Sequence, residues 1–403
     1  MLLKLAIRNL IRNRRRTVLT GLTMVAGFVT LAFTLGLTEG GYDRIIAMFT
    51  DLNTGHVQLL HRETLDDPSL YKTVKDPKGK IAAIEKAFPT LNLSSRIEGG
   101  GLGFFGDVTI GVRIIGVDRR REARVSSIDL RRESGHWFKE DGQYEALIGA
   151  LIAEQLEAKQ GDKIAIISQG ADGSISSELF KVIGIMKKNG VDDYSVFTDL
   201  VSAQEYFSLY NRVHRIVIKS NHFSEARGLQ EKLRQKIPLP DSEVFESWEA
   251  IEREFVVSME ADKEGNNILY FIIGIAVSLG VLNTVLMSIL ERRKEFGIIK
   301  AIGTRPSLVF RMIMAESLML SACSCFIGFI IAFAINSYFA TNGIKFPEPV
   351  ELGGILMDEM VSTVGMRAFI PPFLVIFISA VTVTIIPALR AAQAKPSDAM
   401  RAS

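Results

Sequence analysis

The chain is poor in the residues that most often carry chemistry. It has two cysteines in 403 residues, Cys323 and Cys325, both inside one apolar run. Two positions apart on a helix they do not bridge easily, and cysteine is a common small buried residue, so neither a disulfide framework nor a zinc site follows. Histidine is scarce: His56, His61, His136, His214 and His222 are scattered, with no HExxH or paired-ligand spacing. His56 and His61 read as surface histidines near a strand. Serine and aspartate are plentiful, but no nucleophile elbow surrounds them. The carboxylate pairs Asp66-Asp67 and Asp192-Asp193 stand in turn-like contexts and read as solvated. A G-x-x-x-x-G-K-[ST] phosphate loop is absent as well. Charge of one sign is also lacking: 47 Lys+Arg stand against 45 Asp+Glu, a net charge of +2. The distribution of charge therefore says more than its sum, and no nucleic-acid partner is expected.

What the chain has is apolar length. Hydrophobic residues make up 48% of it and the mean hydropathy is +0.22, high for a soluble protein. Four runs approach or exceed the roughly 20 residues that cross a bilayer as a helix. They define spans at 17–38, 266–290, 312–340 and 369–389. No ionisable residue stands in the middle of any run, which argues against an ion-coupled transporter or a polar pore. The first run is longer than a signal-peptide core and lacks a convincing cleavage site, so it reads as a retained anchor. Within it Ala32 and Gly36 stand four apart, a spacing that suits close helix packing. Pro371 and Pro372 suit a helix start in the fourth run, and Pro387 a kink near its inner end.

Ahead of the first run, residues 1–16 read as a basic amphipathic helix at the membrane surface. Lys4, Arg8 and Arg12 form a stripe, and Arg14, Arg15 and Arg16 follow. This cluster places the N-terminus in the cytoplasm by the positive-inside rule. Residues 39–265 then form an extracytoplasmic domain, too large for a loop. Ile45, Ile46, Phe49 and Leu52 at its start, and Trp248, Ile251, Phe255 and Met259 at its end, repeat at helical spacing and suit a stalk. Between them strands and helices alternate, with a hairpin turn at Gly106-Asp107. The pattern predicts an α+β domain, and a strand-rich lobe inserted into a β/α lobe is one arrangement it suits. Arg119, Arg120, Arg121, Arg124, Arg131 and Arg132 form a basic cluster, read as a solvated surface with an anionic partner as the alternative. Residues 341–368 read as a second outer loop, and 390–403 as a cytoplasmic tail.

The stretch ERRKEFGIIKAIGT, residues 291–304, lies between the second and third runs. Its apolar residues are interleaved with charge, as in a short helix lying on the cytoplasmic face. With Asn283, Thr284 and Met287 before it and Arg311 and Glu316 after it, the stretch resembles the signature of the FtsX-like permease family, which includes the MacB-type and LolC/LolE-type ABC transporter subunits. The tail pattern on Arg390, Ala391, Pro396, Ala399 and Arg401 resembles that family's ending. IGALIAEQLEAKQGDKIAI resembles part of the MacB-type periplasmic core, and GHVQLL, at 55–60, looks closer to LolC/LolE-type proteins.

The resemblance implies a membrane protein of four transmembrane helices plus a large α+β extracytoplasmic domain between the first two. It implies a non-catalytic permease subunit in a bacterial inner membrane, driven by a separate cytoplasmic ATPase that binds ATP and Mg. Two ATPase copies and a second permease, identical or related, complete the complex. Residues 291–311 would be the coupling helix. Glu291, Arg292, Arg293, Lys294, Glu295, Phe296, Gly297, Ile299, Lys300 and Gly303 are the expected coupling residues. Phe296 and Ile299 would fill a groove on the ATPase, while Arg292, Arg293 and Lys294 steer docking. Motion of the outer domain would then serve lipoprotein release or amphiphile handling. The alternatives are efflux of a peptide or antibiotic and regulation of a cell-wall hydrolase. A lipoprotein, a periplasmic adaptor or chaperone, and membrane lipids are the further partners implied.

Overall fold

The computed structural model describes residues 14–140, 142–188, 192–352 and 355–394. Residues 1–13 of the surface helix expected over 1–16, with Lys4, Arg8 and Arg12, lie outside them, as do Pro396, Ala399 and Arg401 of the tail pattern. The chain forms two compact units. One takes the chain up to Asp43, then Ser258–Pro347 and the chain from Asp358; the other takes Arg44–Val257 with Glu348–Met357.

The first unit is built on four helices, each long and apolar enough to cross a membrane. They are α1 (Arg14–Phe49), α8 (Arg253–Glu291), α10 (Pro306–Asn342) and α11 (Met366–Gln393). Between 17% and 33% of their most apolar windows is buried, so most of the apolar surface points outward, as in helices solvated by lipid. Their common core holds Phe28 and Leu31 of α1, Val277 of α8, Ala332 of α10 and Ile376 of α11. Small residues set the approach of α1. A Cβ on Gly36 would lie 2.5 Å from Asn336 Oδ1 and 2.6 Å from Ser362 Oγ. Asn336 is itself fully buried, donating to the Ala32 carbonyl at 3.2 Å and accepting from Ser362 Oγ at 2.7 Å. The polar side chain is thus satisfied in an apolar bundle, where an unpaired amide is costly.

Three boundaries differ from expectation. α10 begins at Pro306, with proline in the first turn, ahead of the expected 312. α11 begins at Met366, so Pro371 and Pro372 lie past its first turn rather than at its start. Residues 341–368 are not a plain loop: β13 (Ile344–Leu352) and β14 (Ile355–Met360) form a hairpin there. Pro347 and Pro349 are tolerated because a two-stranded ribbon has two free edges.

The second unit is α+β. Its strands are β1 (Val57–His61), β2 (Val74–Lys75), β3 (Asn92–Phe105), β4 (Val108–Val117), β5 (Arg132–Gly135) and β6 (Glu145–Ile148), then β7 (Lys163–Gln169), β8 (Ile175–Met186), β9 (Ser195–Asp199), β10 (Arg212–Val213), β11 (Arg215–Lys219) and β12 (Glu243–Ser247). Its helices are α2 (Pro77–Ala87), α3 (Glu122–Val125), α4 (Ala150–Leu156), α5 (Leu200–Tyr206), α6 (Ala226–Lys236) and α7 (Trp248–Ile251). β12, β1, β11 and the first half of β3 form an antiparallel sheet. The strand-rich part closes on itself. β3 pairs with β4, β4 with β9, β9 with β6, β6 with β8, β8 with β7, and β7 returns to β3. Closure leaves this lobe few free sheet edges, and Ile114, Ile164, Ile166, Phe180 and Val182 are buried in it.

Candidate functional site

The stretch between the second and third long helices folds as α9 (Arg293–Ala301). It is shorter than the expected 291–311, because Gly303 turns the chain with φ +97° and α10 starts three residues later. Its two faces differ sharply. On one face Lys294, Ile298 and Ile302 are exposed, Ile298 at 52% and Ile302 at 80%. These positions fall three to four residues apart with Glu291, the spacing of one helical face.

The other face is held by the rest of the unit, which corrects two expectations. Phe296, expected to fill a groove on a partner, is 4% exposed and packs with Val309, Ile313, Ala388 and Ala391. Arg292, expected to steer docking, is also buried. Its Nη1 donates to both Glu316 carboxylate oxygens at 2.8 and 3.0 Å, and its Nε to Glu295 at 3.2 Å. The guanidinium carbon sits 4.9 Å from the centre of the Phe296 ring. Glu316 of α10 thus pairs with Arg292. At the other end of α9, Lys300 Nζ donates to the carbonyl of Ala392 at 2.7 Å and to that of Ala394. Those carbonyls end α11, where a cation is favoured by unsatisfied acceptors and the helix dipole. α9 is therefore clamped at both ends, by Arg292 to α10 and by Lys300 to α11. Gly297 is buried, Ile299 and Glu295 are half-buried, and Lys294 is exposed.

Above the Arg292–Glu316 pair lies a small cavity of about 50 Å³ lined in part by Thr17, Thr20, Thr284, Ser288 and Ser317. Thr20 and Thr284 are hydrogen-bonded across α1 and α8, and Ser317 Oγ lies 2.8 Å from Thr384 Oγ1 across α10 and α11. Hydroxyl pairs thus join the helices just above the clamp.

In the outer unit five of the six arginines foreseen as a cluster lie beside carboxylates. Arg120 meets Glu140 at 2.5 Å, Arg121 meets Glu85 at 2.5 Å, and Arg132 meets Asp129 at 2.8 Å. Arg119 and Arg131 lie 3.8 and 3.7 Å from Asp199 and Asp192. Asp192 and Asp193 are buried rather than solvated. His56 is buried too: its Nδ1 accepts from the Ser220 N–H at 3.0 Å, and burial pushes the imidazole down to about 4, so it is neutral. Sequence reasoning missed Arg96, which is 1% exposed. It pairs with buried Glu122 at 2.5 Å and donates to the Asn53 carbonyl in the π-helical turn Thr50–Thr54 that follows α1. No local pattern marks it, since its partners are 26 and 43 residues away.

The family model described as FtsX-like permease C-terminal matches residues 267–396, and that of the MacB-like periplasmic core domain matches residues 17–236. The chain belongs to the FtsX-like, MacB-type permease family. It is 22% identical over 344 residues to an uncharacterized ABC transporter permease of Methanocaldococcus jannaschii, covering 81% of each chain. It is 24% identical over 410 residues to a pyoverdine export ATP-binding/permease protein of Pseudomonas syringae pv. tomato, covering 96% of this chain and 57% of that one. It is 24% identical over 354 residues to a macrolide export ATP-binding/permease protein of Escherichia coli, covering 83% of this chain and 51% of that one. The permease spans just over half the length of these ATP-binding/permease relatives. As an ABC transporter permease of this type it is a multi-pass membrane protein with a large extracytoplasmic α+β domain.

Proposed function

We propose that this chain is the membrane subunit of an ATP-driven exporter of a small amphiphile. Its ATPase docks on the exposed face of α9, and work is delivered through the outer unit rather than through a pore. The observation that carries this is the division of α9 into a clamped face and a free one. Ile298 and Ile302 offer apolar surface for a partner, with Lys294 beside them, while Arg292, Phe296 and Lys300 fix the helix to α10 and α11. A push on the free face then moves the helices instead of bending a loop. ATP and Mg belong to the ATPase, of which two copies would serve a pair of permeases in a bacterial inner membrane. The arginines at 14–16 and the charge around α9 support a cytoplasmic side for both.

Export rather than lipoprotein release is favoured by the relatives, two of which are named for the export of pyoverdine and macrolides. The segment that pointed to lipoprotein release runs into β1, where Val57, Gln58, Leu59 and Leu60 are all buried, so its likeness reflects sheet packing.

Affinity purification of the intact complex after crosslinking in cells tests the reading. Burying an isoleucine side chain is worth roughly 1.5–3 kcal/mol. Ile298→Asp with Ile302→Asp is therefore expected to lower ATPase recovery at least tenfold without unfolding the permease. Full ATPase recovery with both substitutions would rule out this face, and no ATPase in any crosslinked sample would sink the transporter reading.

A further inference from the structure

In the outer unit β3 changes partner part-way along its length. It pairs with β11 up to Arg96↔Arg215, and with β7 from Leu102↔Ile167. Residues 97–101 between these points keep β4 on one side only. Their other edge faces a cavity of about 540 Å³, whose walls include Glu98, Gly100, Arg113, Ser168, His214 and Arg215. That volume is within the roughly 300–1,000 Å³ of ordinary ligand sites.

Two side chains mark the direction of this edge. The Glu98 N–H donates to His214 Nδ1 at 3.0 Å, and the Gly100 carbonyl accepts from Ser168 Oγ at 2.6 Å. An extended residue presents its N–H and C=O on the same edge. The Glu98 carbonyl and the Gly100 N–H therefore also face the cavity, and neither has a partner among the described residues. Gly100 is exposed, and a Cβ there would meet nothing within 4 Å, so no side chain screens it.

Beside the open edge stands a charged group of unusual economy. Glu98 Oε2 accepts from Arg113 Nη2 at 2.7 Å and lies 3.1 Å from Arg215 Nη2. Glu98 Oε1 and Arg215 Nε are buried without a partner. A buried donor or acceptor left without a partner is costly. Against the upward push of burial, Arg215 and Arg113 hold the Glu98 carboxyl at about 2, so it only accepts. One missing donor and one missing acceptor, next to a free N–H and a free C=O, are the complement of a peptide backbone. Arg113 is 43% exposed at the rim, with guanidinium N–H groups to spare for a carboxylate.

We propose that this gap binds a short extended peptide with a free carboxyl terminus. One peptide residue accepts from the Gly100 N–H and donates to the Glu98 carbonyl, completing the ladder between β11 and β7, and the terminal carboxylate reaches Arg113. Strand addition of this kind draws affinity from main-chain bonds and leaves sequence choice to the surrounding walls. The site needs neither ATP nor a second subunit, so it stands or falls apart from the exporter reading.

The test is fluorescence anisotropy on the full chain in detergent micelles. The probes are fluorescein-labelled hexa-alanine as free acid, its C-terminal amide, and its backbone N-methylated form. Saturable binding of the free acid is expected, about tenfold weaker for the amide and lost for the N-methylated form. Arg113→Gln, a half-exposed change, should weaken the acid about tenfold and leave the amide within twofold. Gly100→Pro, which deletes the free N–H, should abolish binding of both; a thermal melt by tryptophan fluorescence reports whether it folds. Equal binding of the N-methylated peptide, an unchanged affinity for the acid in Arg113→Gln, or no saturable binding by the free acid would each overturn the proposal.

Discussion

Glu316→Ala tests the clamp on α9 most directly. Arg292 is 5% exposed, and two of its hydrogen bonds, at 2.8 and 3.0 Å, end on Glu316. Removing that carboxylate leaves a buried cation facing Glu295, whose side chain is 45% exposed and so a weaker partner. Breaking a buried pair from one side costs roughly 3–5 kcal/mol. Because Glu295 remains, the lower end applies, about 3 kcal/mol, or roughly a hundredfold in the undocked population of α9. Hydrogen exchange followed by mass spectrometry on the full chain should show it in the peptide covering residues 293–304. Glu316→Gln keeps an acceptor but loses the charge, and should show about a tenfold effect, in line with the roughly 1.5–3 kcal/mol of a charged hydrogen bond. Arg292→Met with Glu316→Leu removes both charges and should return exchange close to the parent, since an apolar pair of similar volume does not leave a charge stranded. If Glu316→Ala exchanges within threefold of the parent, the pair does not anchor the helix and does not carry a push from α9 to α10.

The remaining expectations concern packing and acid. Phe296→Ala should cost roughly 3–5 kcal/mol, lowering the midpoint of thermal unfolding, whereas Ile298→Ala on the exposed face should change it little; equal shifts would contradict the two-faced helix. Gly36→Val would drive its Cβ into Asn336 and Ser362, and a loss of about 1–3 kcal/mol is expected in the same assay. Trp137 and Trp248, the two tryptophans of the chain, both lie in the outer unit, so tryptophan fluorescence of the full chain reports that unit alone. His56 is held below its ordinary 6.5 at about 4, so its contribution is fully present above pH 6.5 and lost as pH falls towards 4. Glu98 is held below 4.5 at about 2, and its contribution is lost as pH falls from 4.5 towards 2. Each is worth roughly 3 kcal/mol. His56→Asn should flatten the upper limb of the acid profile and spare the lower one; an unchanged upper limb would place the effect elsewhere.

The parts of this molecule legible in its sequence are those that local periodicity determines. The four long helices announce themselves because uninterrupted apolar runs need no partner to be recognised. The Gly106-Asp107 hairpin and the strands at 163–169 and 215–219 follow from turn residues and β-branched alternation. Closure of the strand-rich lobe does not follow, because it depends on β7 meeting β3 some sixty residues away in the chain. The same limit explains the misread helix. Taken alone, α9 offers its arginine to water and its phenylalanine to a partner, the ordinary division between charge and aromatic at a docking surface. Glu316 and the end of α11 reverse that division. One neutralises Arg292 inside the unit, and the other takes Lys300 at carbonyls 92 and 94 residues away. Once both cations are anchored inward, geometry leaves Phe296 on the buried face and turns Ile298 and Ile302 outward. Burial of Arg292 thus goes with apolar exposure at Ile298, six residues on, and a search for docking residues on this chain should begin from the partners of Arg292 and Lys300 rather than from the hydrophobicity of the helix.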